Sequence, residues 1–171
     1  MDCQQIAKTV GWFGETWGFW VQTGALFLSA VAGVLVIYYN GRQARTKALI
    51  DLIIYQKTNK DLVEATKLVY RLGVENKHFS SYAPEDQAGP SRDAILLVLN
   101  NQEFIAVGIR KRVFDEGIYK QMQCSNLLKV WRLSNGFVAE LRKIKGQDTI
   151  FQDVERLADK WKRNPIKSIK R

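Results

Sequence analysis

The residue types that do chemistry are sparse in this chain, and their spacing does not gather them. His78 is the only histidine, and the two cysteines are Cys3 and Cys124. One histidine and two distant cysteines fall short of the four-ligand set of a structural zinc site. A nucleophile–base pair of Cys124 and His78 would require the fold alone to join them. No glycine-rich strand-to-helix turn offers a phosphate cradle. The adjacent carboxylates Asp115 and Glu116 are better explained as a helix N-terminus, where negative charge is stabilised. No catalytic residue, metal site or cofactor is therefore expected, and the chain is read as a non-enzyme.

One polar pattern stands out. Asn100, Glu103, Val107 and Arg110 follow one another at three- and four-residue steps within LNNQEFIAVGIR. That spacing places them on one stripe of an otherwise apolar helix. A buried carboxylate there must be paired or hydrogen-bonded. Arg110, Arg132 and Arg142 are the candidate partners. Asn100, Glu103 and Arg110 are thus either a contact site for a ligand or subunit, or a polar network that holds helix register. The second reading is preferred.

The strongest feature positions everything else. From residue 16 to residue 41 there is no Asp, Glu, Lys, Arg or His, and Phe19 to Tyr39 reads FWVQTGALFLSAVAGVLVIYY. Those 21 mostly apolar residues match the length of about 20 needed to cross a bilayer. Ala30-Val31-Ala32 fits a signal-peptidase site, but the preceding segment is not basic and the apolar run is long for a signal peptide. A single transmembrane helix over 19–39 is therefore expected. Arg42, Arg45 and Lys47 follow it, whereas only Lys8 precedes it. Basic flanks stay in the cytoplasm, so the N-terminus faces outward. Trp12, Phe13, Trp17, Phe19 and Trp20 at one end, with Tyr38 and Tyr39 at the other, read as interfacial belts. Residues 1–18 are expected as a segment lying in the outer interface.

Within the span, Ala25, Ser29 and Gly33 are four residues apart and Gln22 shares their face. Small residues at that spacing allow two helices to approach closely. They define a candidate packing stripe and make a homo-oligomer the expected state.

Residues 40–171 hold 25 basic against 15 acidic residues, a net charge of +10. An anionic bilayer is the expected partner, at about 1 kcal/mol per basic residue near the surface. Arg42, Arg45, Lys47, Lys162, Arg163 and Lys167 are the candidate lipid-headgroup contacts. Nucleic acid attracts the same charges, but no basic run interleaved with aromatics marks a nucleic-acid module. Under the expected topology Cys3 and Cys124 lie on opposite membrane faces and cannot pair within one chain.

Helical spacing continues after the span, and no alternating strand pattern of useful length is present. Ala48, Leu49, Leu52 and Ile53 share a face. Thr58 with Asp61 three residues on reads as a helix cap. Leu62, Ala65, Thr66, Val69 and Leu72 point inward on a helix stopping at Gly73. A polar loop is expected from Glu75 to Ser91. Ser91 then caps a helix running to about Phe114. A long helix opens at Asp115 or Glu116, with Ile118, Met122, Leu127, Leu128, Val130, Trp131, Leu133, Phe137, Val138, Leu141 and Ile144 as its apolar positions. Gly146-Gln147-Asp148 turns the chain into a last amphipathic helix through Trp161. The fold class is all-α: an N-terminal transmembrane helix, a cytoplasmic helical bundle over 40–162, and a basic tail over 163–171.

LNNQEFIAVGIR, Asp115-Glu116, Trp131 with Phe137, FQDVERLADKW and TNKDLVEATKLVY together resemble the domain-of-unknown-function 4760 family of bacterial proteins, over roughly Arg42 to Trp161. The resemblance implies one N-terminal span, a helical cytoplasmic domain, the bacterial inner membrane and a bacterial or prophage setting. It implies no activity. The expectation is a membrane-anchored module that self-associates or binds an unknown protein partner, in a role such as superinfection exclusion or a phage-defence membrane effector. The alternative is a membrane-tethered nucleic-acid binder.

Overall fold

The structure, a computed structural model, describes residues 17–75 and 77–166. Among them are five α-helices and two short 3-10 turns, with no strand. The helices are α1 Trp17–Thr58, α2 Lys60–Val74, α3 Pro90–Arg110, α4 Glu116–Lys145 and α5 Gln152–Arg163. The chain divides into two compact units between Ala44 and Arg45. The expected interfacial segment, apart from Trp17 and Gly18, lies outside the described residues.

In the first unit every described side chain from Trp17 to Ala44 is exposed. This stretch is long and apolar enough to cross a membrane, with a mean hydropathy of 1.9 over its most apolar window. The aromatic pairs Phe19–Trp20 and Tyr38–Tyr39 meet edge to face, with centroids 5.8 and 6.1 Å apart.

In the second unit the end of α1 buries Leu49 and Ile53 in a core, with Ala48 and Leu52 packed alongside. Thr58 does not cap the next helix. It is the last residue of α1, and its hydroxyl donates back to the Ile54 carbonyl at 2.9 Å. Asn59 is the cap, its side-chain oxygen accepting from the Leu62 N–H at 2.9 Å. Thr can bond within its own helix, so the neighbouring Asn, an equally good cap, takes the role. Helix α2 buries Leu62, Ala65, Val69 and Leu72, at the helical spacing. It passes its expected stop at Gly73 by one residue. A Cβ at Gly73 would lie 2.8 Å from both methyls of Leu133 on α4, so this glycine permits a close approach.

The expected loop from Glu75 to Ser91 is partly ordered. A 3-10 turn over Phe79–Tyr82 packs on α4 and buries Phe79, and Ala83 is buried just after it. Two aromatics three residues apart suit the three-residue repeat of such a turn. Helix α3 is capped by Gly89 with Pro90 at its first position, not by Ser91. Proline has no N–H to leave unbonded there. The helix ends at Arg110, short of the expected Phe114. The Val113 and Phe114 N–H groups turn back to the Gly108 carbonyl at 2.8 and 3.3 Å, and Phe114 is buried.

Helix α4 opens on Asp115, which accepts from the Ile118 N–H at 3.0 Å. It runs through Gly136 to a left-handed cap at Gly146, φ 63°. Met122 and Ile144 are about half exposed and do not join the core as expected. Tyr119, Cys124 and Ser134 are buried instead. The inward stripe runs Leu127, Val130, Ser134, Phe137, Leu141 at three- and four-residue steps, which Met122 misses. Helix α5 buries Val154, Leu157, Ala158 and Trp161. In this unit α2 packs on α3, α3 and α4 both pack on α5, and α4 touches α2 and α3.

Candidate functional site

Two polar constructions are set into this helical core. The first joins α3 to the start of α5. Residue Phe151 occupies the N-cap of α5 in a left-handed conformation, φ 56°, and has no side-chain oxygen to accept from the first N–H groups. Those N–H groups need partners when buried. Glu103 supplies them from α3. Its carboxylate accepts from the Asp153 N–H at 3.1 Å and the Val154 N–H at 2.7 Å. Among the described residues no arginine pairs with Glu103, which corrects the pairing expected from the sequence. The positive helix end takes the place of a guanidinium.

Arg110 pairs elsewhere. Its guanidinium forks onto Asp153, with contacts of 2.8 Å from Nε and 3.1 Å from Nη2. Asp153 is 5% exposed, so the fork satisfies a buried carboxylate. Arg142 also serves α5, donating to the Ile150 carbonyl at 2.9 Å and to Glu155 at 2.8 Å. Arg132 is exposed. Glu103 and Arg110 therefore act on one element, the N-terminus of α5. Asn100 does not join them. It is exposed and lines a groove beside Tyr55, Leu97 and Phe104.

The far end of α5 is tied down by Glu116. Its carboxylate accepts from Trp161 Nε1 at 3.1 Å and from Lys160 at 2.7 Å. Burial works to raise its pKa, but the hydrogen bonds from Lys160 and Trp161 and the nearby Lys160 and Lys120 charges outweigh that, leaving it below the usual value.

The second construction is a cavity of about 340 Å³ where the end of α1 meets α2, α3 and α4. Its polar lining is Gln56, Thr66, Asn101, Gln102, Gln123 and Asn126. Lys57 and Lys67 complete it, and it contains no carboxylate. Several groups are fixed from behind. Asn126 donates to Gln123 at 3.0 Å and accepts from the Tyr70 hydroxyl. Lys129 lies over the Tyr70 ring, 4.2 Å from its centroid. Tyr119 approaches Gln102 at 3.4 Å. Burial pushes up the pKa of both tyrosines; at Tyr119 a hydrogen bond with Gln56 pulls the other way and is outweighed. Both hydroxyls stay protonated at neutral pH.

The sequence reading missed this cavity. A signal was present: Gln102 falls in step with the buried Ile95, Val98, Leu99, Ile105 and Ile109, so it is a polar residue on the apolar face of α3. Gln123 and Asn126 carried no such mark.

The remaining candidates lie apart from both constructions. Gln22, Ala25, Ser29 and Gly33 are all exposed on α1. The Ser29 hydroxyl donates to the Ala25 carbonyl at 2.9 Å. Arg42, Arg45, Lys47, Lys162 and Arg163 are exposed; Lys167 lies outside the described residues. His78 is exposed, while Cys124 is a buried free thiol. Among the described residues no cluster of histidine, cysteine or carboxylate side chains has the geometry to hold a metal.

The sequence pattern of the domain of unknown function DUF4760 matches residues 23–161. The match spans most of the chain and covers both polar constructions, and the chain belongs to this family. No curated protein and no solved structure matches it.

Proposed function

We propose that this member of the DUF4760 family is a single-pass protein of the bacterial inner membrane that acts by association rather than catalysis. Residues 19–39 cross the bilayer, the N-terminus lies outside, and the helical domain lies in the cytoplasm. The observation that carries this reading is that the apolar helical stretch 19–39 buries none of its 21 side chains. Exposed apolar area costs about 25 cal/mol per Å² in water, so another apolar medium must cover it. The exposed Arg42, Arg45 and Lys47 at one end suit anionic headgroups, as do Lys162 and Arg163 at the end of α5. The exposed Leu97 and Phe104 beside Asn100 offer the domain an apolar contact for a partner protein. In a prophage or phage-defence setting such a contact would place an effector at the membrane.

Alkaline extraction of membranes from cells expressing the full chain tests the anchor. The protein should stay with the membranes, and a reporter fused after Arg171 should be active only in cytoplasmic form. Release by alkali, or an active periplasmic reporter at that position, would overturn the reading. Steeply salt-dependent binding of DNA or RNA by the detergent-solubilised chain would favour a tethered nucleic-acid binder instead.

A further inference from the structure

The cavity between the end of α1 and helices α2, α3 and α4 carries chemistry that association alone does not use. Gln102 is 5% exposed. Its one hydrogen bond among the described residues is the long 3.4 Å approach of the Tyr119 hydroxyl to its oxygen. Its amide Nε2 donates to no described protein group, and the neighbouring Asn101 amide is equally unengaged. The space in front of both side chains is the cavity itself, which Gln102 and Asn101 line. The Tyr70–Asn126–Gln123 chain holds two further amides on the facing helix α4. Such support from behind is what keeps recognition groups in place.

The lining also specifies a ligand class. Amide side chains offer a donor and an acceptor side by side, the pattern that reads the edge of a nucleobase. Leu62, Val98 and Val130 supply apolar surface for the faces of a ring. Lys57 and Lys67 are the only charged groups in the lining, so an anionic substituent is favoured there. A volume of about 340 Å³ lies at the small end of ligand sites. It suits one base, one sugar and one phosphate.

We propose that this cavity is a mononucleotide-binding site, with Gln102 and Asn101 reading the base and Lys57 and Lys67 holding the phosphate. It rests on groups within the helical domain and is independent of whether α1 crosses a bilayer. The proposal makes the domain a receptor for a small metabolite, with the base identity set by which amide faces outward.

Isothermal titration of the full chain in detergent with AMP, GMP, CMP and UMP tests it, with the four nucleosides and inorganic phosphate as controls. At least one nucleotide should saturate the protein below about 1 mM. Its nucleoside and phosphate should each bind at least about tenfold more weakly. Lys67→Ala changes an exposed residue and should weaken the nucleotide about tenfold while leaving the nucleoside unchanged. Gln102→Leu should abolish saturation; should that variant fail to fold, Asn101→Ala should weaken nucleotide and nucleoside alike. The proposal is overturned if no nucleotide saturates, if phosphate alone binds as well as the nucleotide, or if Lys67→Ala and Asn101→Ala both bind like wild type.

Discussion

Glycines make the contrast between the two units of this chain concrete. A Cβ built on Gly24, Gly33 or Gly41 in the first unit would meet nothing within 4 Å. In the second unit, one on Gly108 would strike the Phe114 ring at 2.3 Å, and one on Gly73 would strike Leu133. Polar groups divide in the same way. Ser29 satisfies its hydroxyl four residues back, within its own helix turn. Glu103 satisfies the N–H groups of residues 50 and 51 positions away. The first unit spends its sequence on an environment outside the chain. The second builds its environment from its own distant parts, so small changes there should be felt as stability.

The largest effect is expected at Trp161. Its indole is fully buried and donates to Glu116. Trp161→Ala should cost about 4 kcal/mol through the cavity it leaves, and the freed Glu116 oxygen adds to that. A melt of the detergent-solubilised chain should show a fall on the order of 15 °C. A fall of only a few degrees would mean that α5 is a loosely held appendage, and the contrast between the units would weaken.

Glu103→Ala comes next. It removes two charge-assisted hydrogen bonds and leaves buried N–H groups at the start of α5 without partners, a loss of about 3 kcal/mol. Glu103→Gln keeps an acceptor and should recover more than half of the loss. Because Arg110 pairs with Asp153 and not with Glu103, Arg110→Ala should not cancel the Glu103→Ala effect in a double-mutant cycle. Full cancellation would reinstate the direct pair that the sequence pattern suggested.

Gly108→Ala should cost about 2 kcal/mol by forcing the Phe114 ring aside, whereas the same change at Gly24 should leave the melt unchanged. Glu116 offers a subtler probe. Its pKa is lowered in the folded state, so the unfolded chain binds its proton first as pH falls. The stability it contributes is present above the ordinary value of 4.5 and is lost as pH drops through the depressed folded value. The melting difference between wild type and Glu116→Gln should therefore shrink below that ordinary value. A difference that stays constant down to pH 2 would show that the carboxylate charge is not what secures Trp161.

Helices in both units were legible because their signals are local. The apolar window needs only a count of residues. The core faces of α2 and α5 follow from apolar steps of three and four, and Gly146 marks its own left-handed cap. The misses share a physical cause. Thr58 against Asn59, and Ser91 against Gly89, are choices between near neighbours, decided by the Thr58 hydroxyl bonding within its own helix and by Pro90 taking the first helical position. The partner of Glu103 is backbone, which carries no letter in the sequence. The amide cavity draws on α1, α2, α3 and α4 at once. Gln56, Thr66 and Asn126 acquire a common neighbourhood only when four helices meet. Phe79 buried inside a polar stretch was likewise outvoted by its neighbours, since one repeat from Phe79 to Tyr82 is too short a period to stand out.

The smallest expected effect on the folded domain, and the sharpest test of the contrast, is at Gly33. Among the described residues nothing lies within 4 Å of its Cβ position, so Gly33→Ile meets no steric cost from them. Replacing a helical glycine should, if anything, favour the helix slightly. The melt of the second unit should not move. Gln22, Ala25, Ser29 and Gly33 share one face, and lipid gives apolar helices no hydrophobic reason to associate. Association there must come from close packing and polar contacts. A branched side chain at Gly33 would hold two such faces apart while leaving the helix apolar enough to insert. Cross-linking in native membranes should therefore capture fewer oligomers of Gly33→Ile than of wild type, with equal amounts of both in the membrane. Leu28→Ile, a change of shape on another face, should match wild type. Equal cross-linking of all three would mean that lipid alone covers this helix. Its environment would still lie outside the chain, but a second copy of the protein would not be part of it.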